Sequence, residues 1–191
     1  FFFGGYTKES KQFVILAFLV LFVVLGLRDV NSVGIDSSGA SGSYPIIFLN
    51  TGLSQWGELR GAERINYNIG FDYLTKLLYG LTNGNYQMYI AIISLFVVFS
   101  YMRFIRKYSP SPIQSVLFFL GLFYFTLVMD ALKQAIAMSV LLFAFDAIVE
   151  KKPIKFMILV LLAAQIHFPA LIFLPAYWIG RMKVGSNYLV L

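Results

Sequence analysis

The sequence contains no cysteine and a single histidine among its 191 residues. Without cysteine, the chain has no disulfide, no cysteine-based zinc site and no thiol nucleophile. It also lacks a glycine-rich phosphate loop, a His-Glu-x-x-His metal motif, a Gly-x-Ser-x-Gly elbow and the Asp-x-Asp pair of a nucleotide-sugar metal site. We therefore predict a protein that works with no metal and no cofactor.

Charged residues are scarce and apolar residues are abundant. Only 13% of the residues are charged, whereas 59% are hydrophobic and 18% aromatic, and the mean hydropathy is +0.77. A soluble core of this length cannot bury so many apolar side chains, whereas lipid accepts them on every face of a helix. The apolar runs are continuous and do not alternate with period two, which favours helices over a β-barrel. The sequence predicts an all-α polytopic membrane protein.

Six apolar runs predict six transmembrane helices in one domain that covers residues 1–191. They are residues 12–27, 86–102, 113–129, 131–149, 154–166 and 168–180. Pro169 and Pro175 leave open the alternative that the last two runs form one kinked helix. The chain starts at Phe1 without Met, so we expect a fragment of a longer protein whose first residues end a preceding helix.

Residues 28–85, between the first two predicted helices, are rich in Gly, Ser and Asn and predict a long loop on the outer side. Within this loop, residues 69–81 carry apolar residues at helical spacing, with Asp72, Thr75 and Lys76 between them. This stripe is too short and too polar to span a bilayer, so we predict an interfacial helix on the loop's side of the membrane. A helix packed on the transmembrane bundle is an equally good interpretation.

The net charge of +6 comes from basic clusters beside the apolar runs. Such clusters are typical of topology signals, so we do not expect nucleic acid as a partner. With the helices as above, ten basic residues lie on one side and five on the other, and the five are Arg28, Arg60, Arg64, Lys76 and Lys133. The positive-inside rule places the side with ten basic residues in the cytoplasm.

A group of polar residues from separate helix ends and the loop then lies at the outer leaflet: Arg28, Asp29, Asp36, Lys133, Gln134 and His167. Ionisable residues bordering a membrane segment are costly, and the usual reason to keep them is a pathway or a site. Singly, Arg28 is an ordinary anchor, Lys133 snorkels or pairs with Asp130, and His167 is a structural residue. Their shared location favours a functional site.

The run 131–149 carries two further features. Ala137 and Ala144 share a helical stripe with Lys133, and this small face predicts close packing against a neighbour or room for a ligand. Asp146 lies near the other end of the run and is predicted to reach the inner interface, with no functional role.

Five short segments occur in a fixed order along nearly the whole chain: Gly26-Leu27-Arg28-Asp29, Val33-Gly34-Ile35-Asp36, Gly70-Phe71, Lys133-Gln134-Ala135-Ile136-Ala137 and Ala163-Ala164-Gln165-Ile166-His167, the last followed by Ala170-Leu171. Together they resemble the EpsG family, membrane proteins of bacterial exopolysaccharide and capsule gene clusters that are similar to Wzy polymerases. Family members are longer at both ends. They usually have Arg where Lys133 stands. Lys133 keeps the positive charge of that arginine but offers a point charge in place of its bidentate fork.

The resemblance implies a glycosyltransferase that joins lipid-linked oligosaccharide repeat units at the outer face of the bacterial cytoplasmic membrane. Its donor would be an undecaprenyl-pyrophosphate-linked glycan, and other polysaccharide-assembly proteins are further candidate partners. Under this hypothesis Arg28, Lys133 and Gln134 hold the pyrophosphate charge. His167 is either the general base for the acceptor hydroxyl or a phosphate contact. Asp36 is a second candidate base, or it holds acceptor-sugar hydroxyls.

Other interpretations stay open at this stage. The loop aromatics Tyr44, Trp56 and Tyr67 stack on sugar rings or anchor the loop at the interface. A flippase or transporter of lipid-linked oligosaccharide is an alternative function, which would favour charges at mid-membrane and inverted repeats. A membrane acyltransferase that uses His167 is another.

Overall fold

A computed structural model describes residues 8–29, 43–60, 68–122 and 124–182. Within these ranges the chain is helical and contains no strand. The α-helices are α1 (Lys8–Gly26), α2 (Tyr44–Leu53), α3 (Ile69–Leu81), α4 (Tyr86–Tyr108), α5 (Pro112–Gly121), α6 (Tyr124–Asp130), α7 (Leu132–Val149), α8 (Pro153–Ile166) and α9 (Ala176–Ile179). Two 3₁₀ helices cover Glu58–Arg60 and Phe168–Phe173.

Residues that favour turns and caps set the helix boundaries. The Asn85 side chain accepts a hydrogen bond of 3.0 Å from the Met88 backbone N–H and so caps α4. Asn83 and Gly84 have positive φ values of 51° and 75° in the turn between α3 and α4, where a glycine carries no steric penalty. α5 and α8 each have a proline in the first turn, where no intrahelical N–H is needed.

The centre of the packing is formed by α4 and α7. α1 packs against α4, α4 against α7, and α7 against α8. Small side chains let α7 and α8 approach closely, since Ala144 and Ala163 are fully buried and Ala137 is 1% exposed. The small face that the sequence indicated on this helix is therefore used for helix packing.

The prediction of an all-helical protein is confirmed for the described residues. Two helices there, α4 and α7, are long and apolar enough by length and composition to cross a membrane. The run predicted over residues 113–129 forms two helices, because α5 ends at Gly121 and α6 begins at Tyr124. The count of six spans therefore stays a prediction.

The chain reverses its direction at His167. His167 has extended backbone angles (φ −146°, ψ 103°), and the 3₁₀ helix Phe168–Phe173 follows it. The Tyr177 ring lies 5.2 Å from the Phe156 ring of α8, so residues 168–180 run back along α8. This reversal rules out the alternative of one continuous kinked helix.

The predicted loop contains more structure than the sequence indicated. α3 covers the predicted range, but α2 was not predicted. The Phe48 ring of α2 packs 4.6 Å from the Tyr89 ring of α4 and 5.1 Å from the Tyr79 ring of α3. α3 also packs against α8 and α4, and its side chains Phe71 and Thr75 are fully buried. α3 thus contacts the bundle directly, and its position relative to a membrane surface stays a prediction.

Candidate functional site

One end of the bundle brings together four of the five segments that the sequence singled out, and the fifth, residues 33–36, lies outside the described residues. Here α1 and α8 end, and α4 and α7 begin. The Gln87 side-chain amide at the start of α4 donates to the Gly26 carbonyl at the end of α1, at 2.8 Å. We call this region, which holds Arg28, Lys133 and His167, the Lys133 end.

Arg28 lies just beyond α1 and is half-buried. Its Nη2 donates to the Met129 carbonyl of α6 at 3.3 Å. Its Nε is buried and has no hydrogen-bond partner among the described residues. Burial lowers the Arg28 pKa, and the neighbouring Tyr86 and Asp130 act in the opposite direction. Since a guanidinium keeps its proton in proteins, Arg28 places a poorly solvated positive charge beside the α6–α7 junction.

Lys133 lies in the first turn of α7 and contacts two aromatic residues, the ring of Phe71 and the hydroxyl of Tyr44. Its ammonium lies over the Phe71 ring of α3, 4.9 Å from the ring centroid. Its backbone N–H donates to the Tyr44 hydroxyl of α2 at 3.3 Å. The Tyr44 and Phe71 rings meet edge to face at 6.0 Å. A cation over a ring face gains from the ring quadrupole, so Phe71 gives this ammonium a preferred position.

His167 lies at the end of α8, half-buried. Its backbone N–H donates to the Ala163 carbonyl at 2.8 Å and completes the last turn of the helix. Burial lowers the pKa of its imidazole, and the positive charge of Lys133 lowers it further. Both causes disfavour the protonated ring, so the imidazole is neutral at neutral pH and can accept a proton.

The other predicted site residues have different surroundings. The Gln134 amide contacts the Met138 sulfur at 3.9 Å, and the Tyr101 hydroxyl of α4 contacts the same sulfur at 4.0 Å. Gln134 therefore lies on the side of α7 that faces α4. Asp36 and Tyr67 lie outside the described residues.

Trp56 makes its contacts within the α2–α3 region, with two residues of α3. Its ring stacks on Tyr73 at 6.0 Å and lies 5.2 Å from the Lys76 ammonium. That ammonium also donates to the Ser54 carbonyl and, at 3.1 Å, to the Gly52 carbonyl. Through these contacts Trp56 and Lys76 join the end of α2 to α3.

Sequence reasoning missed two contacts that fix α3 against the end of α8. The Asn68 side chain accepts a hydrogen bond of 3.1 Å from the Phe168 backbone N–H. A Cβ atom at Gly70 would lie 2.6 Å from the Gln165 Cβ, closer than two carbon atoms can approach. The sequence analysis noted the Gly70-Phe71 pair, and the structure shows the physical reason for it. Gly70 has no side chain and so lets α8 pack closely against α3. The Phe71 ring lies under the Lys133 ammonium.

A second charged cluster lies around Asp146 at the opposite end of α4 and α7, and the position of this residue relative to the inner interface stays a prediction. That carboxylate is not turned outward, since Asp146 is 2% exposed. It pairs with Arg103 at 2.5 Å and Lys107 at 2.9 Å and accepts a hydrogen bond of 2.5 Å from the Tyr108 hydroxyl. All three partners come from α4, which local periodicity on α7 does not reveal.

The described residues define a helical protein with two candidate membrane-spanning helices, and one end of it holds the half-buried Arg28 at the α6–α7 junction and Lys133 beside a neutral imidazole. Comparison with known families gives a more specific result. The chain belongs to the EpsG family, whose sequence model matches residues 11–191. No curated protein and no solved structure gives a significant match.

Proposed function

We propose that this chain polymerises lipid-linked oligosaccharide repeat units into exopolysaccharide or capsule, as a multi-pass protein of the bacterial cytoplasmic membrane. Membership of the EpsG family is consistent with a role in polysaccharide biosynthesis. The observation that carries the proposal is the presence of Arg28, Lys133 and His167 at one end of the bundle. In the proposal this end faces away from the cytoplasm.

The two cations act on the leaving group. The donor is a glycan on undecaprenyl pyrophosphate, and negative charge grows on the pyrophosphate oxygens as the glycosidic bond breaks. Positive groups already in place stabilise this charge without reorganisation of solvent. Arg28 offers a half-buried guanidinium and Lys133 an ammonium positioned by Phe71. Gln134 becomes the weakest of the proposed pyrophosphate contacts, because its amide lies toward α4.

His167 acts on the acceptor. Its neutral imidazole takes the proton of an acceptor-sugar hydroxyl, the hydroxyl oxygen attacks the anomeric carbon of the donor glycan, and the bond from that carbon to the pyrophosphate oxygen breaks. The lowered pKa supports the role of base over that of a cationic phosphate contact. Asp36 stays a second candidate base.

The test uses Arg28→Ala, Lys133→Ala and His167→Ala in the full-length protein, with high-molecular-weight polysaccharide and membrane abundance as readouts. We expect strong loss of polymer at normal abundance in each variant. Lys155→Ala is the control, because this exposed lysine pairs with Glu150 at the opposite end. Lys133→Arg is expected to keep activity, since it keeps the charge. Normal polymer from all three alanine variants would refute the proposal.

A flippase of lipid-linked oligosaccharide is the second candidate function. The Arg103–Asp146–Lys107 cluster joins the two candidate membrane spans, but it lies near their ends and not at mid-membrane, where a transport pathway would favour charges, so the flippase ranks second. A deletion strain distinguishes the two functions. Single repeat units that accumulate outside the membrane indicate a polymerase, and units retained inside indicate a flippase.

A further inference from the structure

Two adjoining depressions of about 400 and 330 Å³ lie on the surface of α7. They share four lining residues, one each from α3, α4, α7 and α8: Leu74, Phe96, Val140 and Ile166. We call the pair the α7 groove. Its floor is α7, its walls are α4 and α8, and α3 lies along it.

The lining of the α7 groove is apolar. Among the described lining residues, Gln165 alone has a polar side chain. The groove also opens sideways, since Phe96 is 37% and Leu162 52% exposed. Both candidate membrane spans, α4 and α7, contribute to it. With α4 and α7 spanning the membrane, as the proposed function requires, this opening faces lipid, and a chain can enter from the bilayer without crossing water.

The two ends of the groove differ in charge. At one end Gln165 and Ile166 directly precede His167, and Gly70 directly precedes Phe71, which carries the Lys133 ammonium. At the other end the floor residue Phe143 lies under the Arg103 guanidinium, at 4.7 Å. The groove therefore joins the Lys133 end and stops at the Asp146 cluster. A lipid whose head group lies at Lys133 has its chain directed along α7.

We propose that the α7 groove binds the polyprenyl chain of the lipid-linked glycan while its pyrophosphate lies at the Lys133 end. This inference rests on the proposed function and names where its substrate's lipid lies. Moving an apolar chain from the bilayer into an apolar groove gains little hydrophobic energy, because the bilayer is equally apolar. The selectivity for one lipid over another must therefore come from its head group. The charges of Arg28 and Lys133 match a pyrophosphate better than the single negative charge of a phosphodiester phospholipid.

Neighbouring leucines on α8 provide a matched test. Leu162 lines the groove and is 52% exposed, whereas Leu161 is 50% exposed and lies outside its lining. A polyprenyl diphosphate with a photoreactive group in its chain is cross-linked to the full-length protein in lipid nanodiscs, and the labelled peptides are mapped. We expect labelling within residues 69–81 and 136–143. Leu162→Trp should lower this labelling severalfold, and Leu161→Trp should label as the wild type.

A second variant, Val140→Phe, obstructs the groove from its floor, so the result does not depend on one substitution. Equal labelling of the Leu161→Trp and Leu162→Trp proteins, or labels that map elsewhere, would overturn the inference. Equal competition by phosphatidylglycerol would overturn the choice of a polyprenyl lipid. Polymer formation is measured separately with the Arg28, Lys133 and His167 variants, so a failure of the groove is distinguished from a failure of the polymerase proposal.

Discussion

His167 is the single imidazole of the chain, so its titration can be followed by NMR without assignment of other histidines. Its pKa is lowered by burial and, to a smaller extent, by the charge of Lys133. The neutral form therefore persists below the ordinary histidine value of about 6.5. Activity that needs a neutral base is retained at neutral pH and is lost only as the pH falls through the lowered pKa.

Lys133→Met is expected to raise the His167 pKa relative to the wild type, because it removes the repelling charge. The pKa should stay below about 6.5, since burial is the larger cause and remains. Arg28→Met is the control and should leave the titration unchanged, because Arg28 is not among the causes of the shift. An unchanged His167 pKa in Lys133→Met would contradict the proximity of these two groups.

Asp146 is the residue whose burial the sequence did not predict, and its removal should be costly. Asp146→Ala leaves Arg103 and Lys107 without their carboxylate. Breaking a buried ion pair costs about 3–5 kcal/mol of unfolding free energy, and we expect about 2–4 kcal/mol here because both cations are partly exposed. Denaturant unfolding of the purified protein in detergent measures the difference.

Two controls separate this effect from a general loss of charge. Glu150→Ala removes a carboxylate whose pairs with Lys152 and Lys155 are solvent-exposed, so it should leave stability unchanged. Adding Arg103→Met to Asp146→Ala should recover part of the loss, because an uncompensated charge is removed. No recovery in the double variant would mean that the carboxylate acts through packing and not through its charge.

At the scale of elements, the contact between α3 and α8 positions the Lys133 end. Gly70→Ala would bring a methyl group within 2.6 Å of the Gln165 Cβ, so the helices must separate. Such overpacking typically costs about 1–3 kcal/mol. A shift of α3 would also move Phe71 from under the Lys133 ammonium, and polymer yield should fall with stability.

The same helix supplies the control. A Cβ atom at Gly80 meets nothing within 4 Å in the described structure, so Gly80→Ala should be neutral or stabilise α3 by up to about 1 kcal/mol through helix propensity. Thermal unfolding and polymer yield are measured on both variants. Equal behaviour of the two would show that the close approach at Gly70 does not restrain α3.

Elements with a strong local pattern were predictable from the sequence. The 69–81 stripe gave α3, and the apolar runs gave α4, α7 and α8 to within a few residues at most ends. α2 was missed because Tyr44–Leu53 is short, contains a proline and a glycine, and follows a Gly- and Ser-rich segment. The division of the run 113–129 into two helices was also missed, because a continuous apolar pattern does not show that the first helix ends at Gly121.

At the scale of the whole molecule, the site depends on contacts that no local pattern contains. Arg28 and Met129 are 101 positions apart in sequence, and Asn68 and Phe168 are 100 apart. The sequence predicted that Arg28, Lys133 and His167 share one end because alternate helix directions bring their helix ends together. It could not predict that Phe71 and Tyr44 hold Lys133, since these contacts depend on how α2 and α3 fold back onto the bundle.

The orientation of the molecule in the membrane is the last prediction, and the absence of cysteine from these 191 residues makes it direct to test. Gly57→Cys lies in the α2–α3 connection, where a Cβ meets nothing within 4 Å of the described atoms. Lys152→Cys lies between α7 and α8, with a side chain that is 61% exposed. Because ten of fifteen basic residues are predicted on the Lys152 side, an impermeant maleimide added to intact cells should label position 57 and reach position 152 only after permeabilisation.

The reverse pattern would place the Lys133 end in the cytoplasm. A polymerase that receives lipid-linked units after their transfer across the membrane would then lack access to its substrate, and the proposed function would fail even if every contact at Lys133 were correct. Labelling of both positions in intact cells would mean that α7 does not cross the bilayer between them, and the α7 groove would lose its access to lipid. The side of the membrane therefore determines whether the geometry of Arg28, Lys133 and His167 can serve the proposed chemistry.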